Sequence, residues 1–310
     1  MKAIIAADNM PSLVDRPAPA PAKGEILLKV LASGINRADL LQCKGKYNPP
    51  EGASDILGLE VSGEVIETAG PWNKGDILCA LLPGGGYAEY VTVPASLCLS
   101  VPPSINPVEA AGLPEALFTV YKNIFKIGRF QKDETVFIQG GASGIGTMAI
   151  QMVKAMGGRV VVTAGSDERC KQCLALGADE AINYKTQDFT DIKADIILDM
   201  VGGDYLPKHI AMLNNRGRHI SIAYMGGAKA EALIPAIMQK ELTITGSTLR
   251  NSPLPEKEML AREIYKSVGP LLENGTIKPV IGGIFPMTEA RKAHESLEKG
   301  EIFGKSLLTP

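Results

Sequence analysis

The stretch Gln139-Gly140-Gly141-Ala142-Ser143-Gly144-Ile145-Gly146 carries the residue types of a phosphate cradle. Glycines let a backbone approach a pyrophosphate, and a following helix N-terminus offers unpaired N–H donors and a positive dipole end. The setting agrees. An apolar strand is predicted at Thr135–Gln139, and after the loop Ile145, Met148, Ala149, Met152, Val153 and Met156 recur at helical spacing, with Gly157 and Gly158 at the expected stop. Aligned on Gly141 and Gly146, the middle glycine of G-x-G-x-x-G is replaced by Ser143, which stays small and adds a hydroxyl. Gly141, Ser143, Gly144, Ile145 and Gly146 are therefore the expected cofactor contacts of the loop.

A second strand, predicted at Arg159–Ala164, selects the cofactor by how it ends. An acid there accepts hydrogen bonds from the adenosine ribose of NAD. Here the strand ends Val162-Thr163-Ala164 and runs into Gly165-Ser166, so no anion repels a 2′-phosphate. Ser166 and Arg169 follow, a hydroxyl and a guanidinium able to hold that phosphate. One charge-assisted hydrogen bond of about 1.5–3 kcal/mol favours NADPH over NADH by about one to two powers of ten. Asp167 weakens the preference only if it faces the ribose.

Other chemistry is scarce. Three histidines (His209, His219, His294) and five cysteines (Cys43, Cys79, Cys98, Cys170, Cys173) form a small pool for any metal, and none is expected. Cys170 and Cys173 are a C-x-x-C inside a predicted helix, without a second pair for zinc, and read as ordinary helix residues. Gly84-Gly85-Gly86 leads into a strand rather than a helix, the pattern of a hairpin turn.

The 310 residues allow two domains, and 45% hydrophobic with 21% charged residues is the profile of a soluble globular chain. With 32 basic against 34 acidic residues, a net charge of -2 disfavours a nucleic-acid partner. No apolar run reaches membrane-span length. An odd cysteine count without a secretion signal points to reduced thiols and a cytoplasmic location. Residues 1–108 read as a β-rich domain of short strands punctuated by Pro and Gly, whereas from Val108 strands alternate with helical patterns, as in a parallel α/β sheet. Six strands are predicted there: Thr135–Gln139, Arg159–Ala164, Ala181–Asn183, Asp195–Met200, His219–Ala223 and Leu242–Gly246, enough for a doubly wound sheet. A helix over Lys257–Glu273, a strand at Pro279–Phe285, a helix over Glu289–Leu297 and a strand at Phe303–Leu308 complete the chain. Periodicity leaves open whether these extend the α/β sheet or fold back onto the first domain.

Ser33 to Leu41, Gly45 to Ser54 and Ile56 to Gly63 resemble the zinc-free quinone oxidoreductases of the medium-chain dehydrogenase/reductase superfamily. So do Ala80 to Gly86, Leu113 to Ala116, the glycine loop, Thr163 to Ser166 and Phe303-Gly304-Lys305, so the likeness spans essentially the whole chain. It implies a GroES-like catalytic domain of residues 1–108 and 250–310 and a Rossmann domain of residues 109–249. It also implies a homodimer, with NADPH in an interdomain cleft contacted by Gly165, Ser166, Arg169, Tyr184 and Lys305. Asn36, Tyr47, Ser143, Met225, Leu249 and Arg250 are placed near the nicotinamide or the acceptor. Two segments, Ala69 to Gly75 and Phe189 to Ala194, are shorter than the family pattern.

In the zinc alcohol dehydrogenases of the superfamily the three catalytic ligands fall on Asn36, Leu59 and Glu115 of this chain, none a Cys or His. Without a Lewis acid, acceptors that take hydride unaided are expected: small quinones, or enones and enoyl thioesters. Either needs a hydrogen bond to the oxygen that gains charge, for which Tyr47 and Asn36 are the candidates. Ser143 joins them as the third expected catalytic residue. Enoyl-thioester reductases of the superfamily carry a proton-delivering tyrosine around Tyr47, which makes enoyl reduction the alternative. A third reading, an NADPH-binding structural or RNA-interacting protein, is opposed by the net charge and the lack of a basic-aromatic stripe.

Overall fold

The computed structural model describes Met1 through Pro310. The chain forms two compact units, Met1–Phe118 with Arg250–Pro310, and Thr119–Leu249. The first boundary falls after Phe118 rather than at Val108. Residues 109–112 form a 3₁₀ turn whose Ala111 packs with Ala32 and Leu307 of the first unit, and this apolar anchor carries the unit past the change in sequence texture.

The first unit begins with a hairpin of β1 (Lys2–Ala7) and β2 (Met10–Asp15). Its turn residues, Asp8 and Asn9, both have positive φ, as a two-residue turn matched to strand twist requires. The long strand β3 (Glu25–Ile35) leads through α1 (Arg37–Cys43) to β4 (Glu60–Glu67), β5 (Ile77–Leu81), β6 (Tyr90–Pro94) and β7 (Cys98–Ser100). Alternate inward residues such as Ile26, Leu28, Val30, Val61, Val65 and Leu78 build its core. β5 pairs with β4 and β7, whereas β6 pairs with β3. Gly84-Gly85-Gly86 is therefore a connection between non-adjacent strands and not the expected hairpin turn. Glycine at φ +96 signals a turn at Gly85, but it does not choose partners for the flanking strands. Helix α2 (Pro114–Val120) closes this half.

The second unit runs β8 (Thr135–Ile138), α3 (Gly144–Ala155), β9 (Arg159–Ala164), α4 (Asp167–Ala175), β10 (Glu180–Asn183), β11 (Ala194–Asp199), α5 (Tyr205–Met212), β12 (Leu213–Ser221), α6 (Ile234–Gln239) and β13 (Thr243–Gly246). All six strands are parallel, in the order β10-β9-β8-β11-β12-β13, so the winding reverses between β8 and β11. In such sheets the crevice at the reversal binds the ligand. The stripe on α3 faces the sheet, with Met148, Ala149, Met152 and Val153 buried. No helix joins β10 to β11. Phe189 covers that face instead, its ring stacked on Tyr205 at 5.7 Å and tilted on Phe137 at 5.5 Å.

The chain re-enters the first unit through α7 (Leu254–Ser267) and α8 (Gly269–Glu273), two helices where one was predicted. The break falls at Val268-Gly269-Pro270, where proline cannot continue the preceding helix. After β14 (Ile281–Pro286) and α9 (Ala290–Glu298), β15 (Lys305–Thr309) pairs antiparallel with β3 and parallel with β14, which resolves the open question of the last sixty residues in favour of folding back. No helix is long and apolar enough to cross a membrane.

Candidate active site

At two glycines, Gly141 in the loop after β8 and Gly146 in the first turn of α3, the backbone leaves no room for a side chain. A Cβ on Gly141 would stand 2.6 Å from the Val162 Cβ, and one on Gly146 would stand 2.3 Å from the Gly140 carbonyl oxygen. Ser143 caps α3. Its Oγ accepts from the Gly146 N–H at 2.9 Å and donates to the Gly140 carbonyl at 2.8 Å, so the hydroxyl that replaces the middle glycine holds the loop itself. Gly144 and Ile145 open the helix, whose first N–H groups form the expected pyrophosphate seat.

Gly165, Ser166, Arg169 and Tyr184 gather at the C-terminal ends of β9 and β10. A Cβ on Gly165 would lie 3.2 Å from the Tyr184 hydroxyl, and the Tyr184 N–H donates to the Ala164 carbonyl at 3.2 Å. Ser166 caps α4 by accepting from the Arg169 N–H at 3.3 Å, which leaves its hydroxyl proton available to a ligand. Asp167 accepts from the Asn183 side chain at 2.7 Å, which fixes its carboxylate on β10. Met225 follows β12, 55% exposed, and Leu249 is buried at the end of this unit. Glycines packed against backbone and Val162, a capped helix start and a strand end with donors but no acid are compatible with a nicotinamide dinucleotide at this edge.

In the first unit Asn36 and Lys305 belong to a buried polar cluster centred on Glu60. The Lys305 ammonium pairs with Glu60 and donates to Asn36 Oδ1 at 2.7 Å and to the Ile35 carbonyl at 3.4 Å. Asn36 Nδ2 donates to Glu60 Oε1 at 2.9 Å, and the Glu115 N–H donates to Glu60 Oε2 at 2.8 Å. The Asn36 amide is thus occupied on both sides, and Lys305, expected at the cofactor, directs its ammonium at protein oxygens. Below them Asp39 accepts from the Asn36 N–H at 2.7 Å and from the Tyr87 hydroxyl at 2.9 Å, and burial pushes its carboxyl up to about 6. Glu60, Asp39 and Tyr87 were not among the expected residues. A charged residue inside the apolar run Leu57–Ile66 was the available signal for Glu60.

Burial, then the neighbouring Glu60 carboxylate, push Glu115 up to about 8 against the opposing pull of Lys305. A carboxyl raised in this way favours folding fully below its unfolded value near 4.5, and that contribution is lost as pH rises through about 8. Glu115→Gln is therefore expected to raise the melting temperature at pH 9 relative to the parent and to leave it unchanged at pH 4. Equal shifts at both values would exclude the raised carboxyl.

Tyr47 pairs with Arg250, whose guanidinium carbon sits 5.5 Å from the centre of the tyrosine ring. Arg250 donates Nε–H to the Pro83 carbonyl at 2.8 Å and is only 4% exposed, yet Nη1 and Nη2 have no protein partner. A buried guanidinium with both terminal nitrogens unpaired is suited to a ligand oxygen.

All five cysteines are free and buried. Burial pushes the Cys43 thiol up to about 11 and those of Cys79 and Cys173 up to about 12.

Two family models match the chain: an alcohol dehydrogenase GroES-like domain over residues 22–103 and a zinc-binding dehydrogenase over residues 144–264. The quinone oxidoreductase of Rattus norvegicus is 30% identical over 90% of this chain and 87% of its own. The 2-methylene-furan-3-one reductase of Solanum lycopersicum is 29% identical over 92% of this chain and 72% of its own. The Escherichia coli quinone oxidoreductase, solved with NADPH, superposes with a TM-score of 0.88 at 26% identity over 100% of this chain and 99% of that one. The zinc in the second model's description has no seat at the positions where the superfamily's catalytic ligands fall. Asn36 is bonded to an ammonium and a carboxylate, Leu59 is apolar and buried, and the Lys305 cation already stands between Asn36 and Glu60. The paired GroES-like and Rossmann-type architecture, the glycine cradle and these likenesses place the chain in the quinone oxidoreductase family of the medium-chain dehydrogenase/reductase superfamily.

Proposed function

We propose that the protein is an NADPH-dependent reductase of small quinones that works without zinc or flavin. The nicotinamide cofactor supplies a hydride, and the acceptor takes that hydride and one proton to become the hydroquinone. The observation that carries the acceptor half is the Tyr47–Arg250 pair: a phenol and two unpaired guanidinium nitrogens offer donors to the oxygen that gains charge. Asn36, fixed by Lys305 and Glu60, acts as a positioning residue for this half. The preference for the 2′-phosphate is supported by the acid-free end of β9, by Ser166 and Arg169, and by the Asn183 contact that occupies Asp167. Steady-state assays with quinones are expected to give an NADPH-over-NADH ratio in kcat/KM of about 10–100. A ratio near unity removes the cofactor assignment, and no turnover of any quinone removes the acceptor.

Enone or enoyl-thioester reduction is the second reading, favoured by Tyr47 and by the tomato enone reductase among the relatives. Under it Tyr47→Phe lowers turnover of a crotonyl thioester by about 100-fold or more while cofactor affinity holds, the range of positioned proton transfer. An unchanged rate would discard that role.

A homodimer is proposed as well. Strand β13 is an edge of the second unit's sheet with Ile244 exposed, and Leu233, Ile234 and Met238 on and beside α6 are 67%, 58% and 72% exposed. Sedimentation of the intact protein should give twice the chain mass; a monomer at all concentrations rejects the dimer.

A further inference from the structure

Two of the three histidines, on different elements of the second unit, turn onto one carboxylate. His209 on α5 and His219 on β12 meet Asp199 at the end of β11, and none of the three side chains is exposed. His209 Nδ1 is 3.2 Å from His219 Nε2 and 3.5 Å from Asp199 Oδ2, and His219 Nε2 is 3.2 Å from that same oxygen. Asp199 Oδ1 accepts from the Val201 N–H at 2.7 Å, which orients the carboxylate so that Oδ2 faces the two histidines.

The three inner atoms lie at the spacing of metal ligands as well as of hydrogen bonds. With both inner nitrogens protonated, both N–H groups converge on one carboxylate oxygen and stand 3.2 Å apart. With either one bare, a nitrogen lone pair faces the carboxylate oxygen. The outer nitrogens, His209 Nε2 and His219 Nδ1, meet neither donor nor acceptor, so nothing on that side fixes the tautomer, and the inner lone pairs are free to ligate. A dication removes the conflict on the inner side. Ligand bonds of about 2.0–2.1 Å at tetrahedral angles hold their donor atoms about 3.3–3.4 Å apart, and the three observed separations bracket that edge.

We propose that Asp199, His209 and His219 are three ligands of a structural site for a divalent ion of zinc's class. Each ligand comes from a different element, so the ion would cross-link β11, α5 and β12. The rings of Phe137, Phe189 and Tyr205 pack around His209 at 5.9, 6.4 and 6.1 Å, an apolar wall that suits a structural site rather than a reacting one. This site is independent of the quinone assignment and of the positions at Asn36, Leu59 and Glu115.

The test uses the full-length chain without a polyhistidine tag, stripped of metal and titrated with Zn²⁺ and separately with Co²⁺. About one equivalent per chain is expected to bind, with a rise in melting temperature. The cobalt form should show the visible absorption of a tetrahedral ion and no thiolate charge-transfer band. His209→Gln and His219→Gln should each weaken binding by at least the roughly 100-fold that the loss of an outer-shell partner can cost. His294→Gln should bind as the parent does. Wild-type protein that takes up no stoichiometric ion overturns the proposal, as does a cobalt spectrum dominated by thiolate bands. Should the histidine variants fail to fold, the parent's cobalt spectrum still decides between imidazole and thiolate ligands.

Discussion

Lys305→Met is expected to destabilise the protein by about 3–5 kcal/mol, the range for removing one partner of a buried ion pair. Lys305 is 4% exposed and Glu60 is fully buried, so the carboxylate left behind would keep only the hydrogen bonds from Asn36 Nδ2 and the Glu115 N–H. Methionine has a similar length, which separates loss of charge from loss of packing. The double variant Glu60→Gln/Lys305→Met should recover much of the loss, because it removes the uncompensated charge rather than the fold. Urea unfolding of the three proteins reads both effects. A single-variant loss below about 1 kcal/mol would match a solvent-screened pair and contradict the buried one.

Gly146→Ala carries the second large effect. Its added Cβ would meet the Gly140 and Gly141 carbonyl oxygens at 2.3 and 2.6 Å, and both contacts are backbone with no rotamer to move aside. Relief requires the start of α3 to shift away from β8, breaking the Ser143 cap. Overpacking of this kind costs about 1–3 kcal/mol. A functional loss of comparable size is expected beside it, because displacing the phosphate seat by about 1 Å is worth about 100-fold, or about 2.7 kcal/mol, in a positioned reaction. Titration of dinucleotide binding alongside thermal unfolding separates the two. Unaltered affinity would mean that the loop does not hold the pyrophosphate.

The nucleotide half was the legible part of the sequence. Its signals are local: six short apolar runs, a stripe on one helix, and glycines whose spacing reflects contacts within a single strand–loop–helix unit. The edge at Ala164 is read from consecutive residues too, although only the Asn183 contact shows where Asp167 points. The polar residues of the first unit were visible in type but not in arrangement. Asn36 meets Lys305 across 269 positions and Glu60 across 24, so no periodicity brings them together. The same reason hid the pairing of Tyr47 with Arg250 and the meeting of His209 and His219 on Asp199. Turn chemistry marked Gly84-Gly85-Gly86 as a break between strands, but the hairpin expected there does not form, because β6 packs on β3 and not on β5. The resemblance named Asn36 and Lys305, without the hydrogen bond between them or the ion pair that commits the Lys305 ammonium to Glu60.

The buried cysteines have a further consequence. Quinones, the acceptors proposed above, are electrophiles that arylate thiolates. Thiolate character is what makes a cysteine vulnerable. All five thiols here are buried, and Cys43, Cys79 and Cys173 are pushed to about 11 or 12, so at neutral pH the folded chain offers these acceptors almost no sulfur nucleophile. Packing that serves the core in this way also shields the native chain from the acceptors proposed for it, and local unfolding rather than catalysis becomes the route to covalent damage.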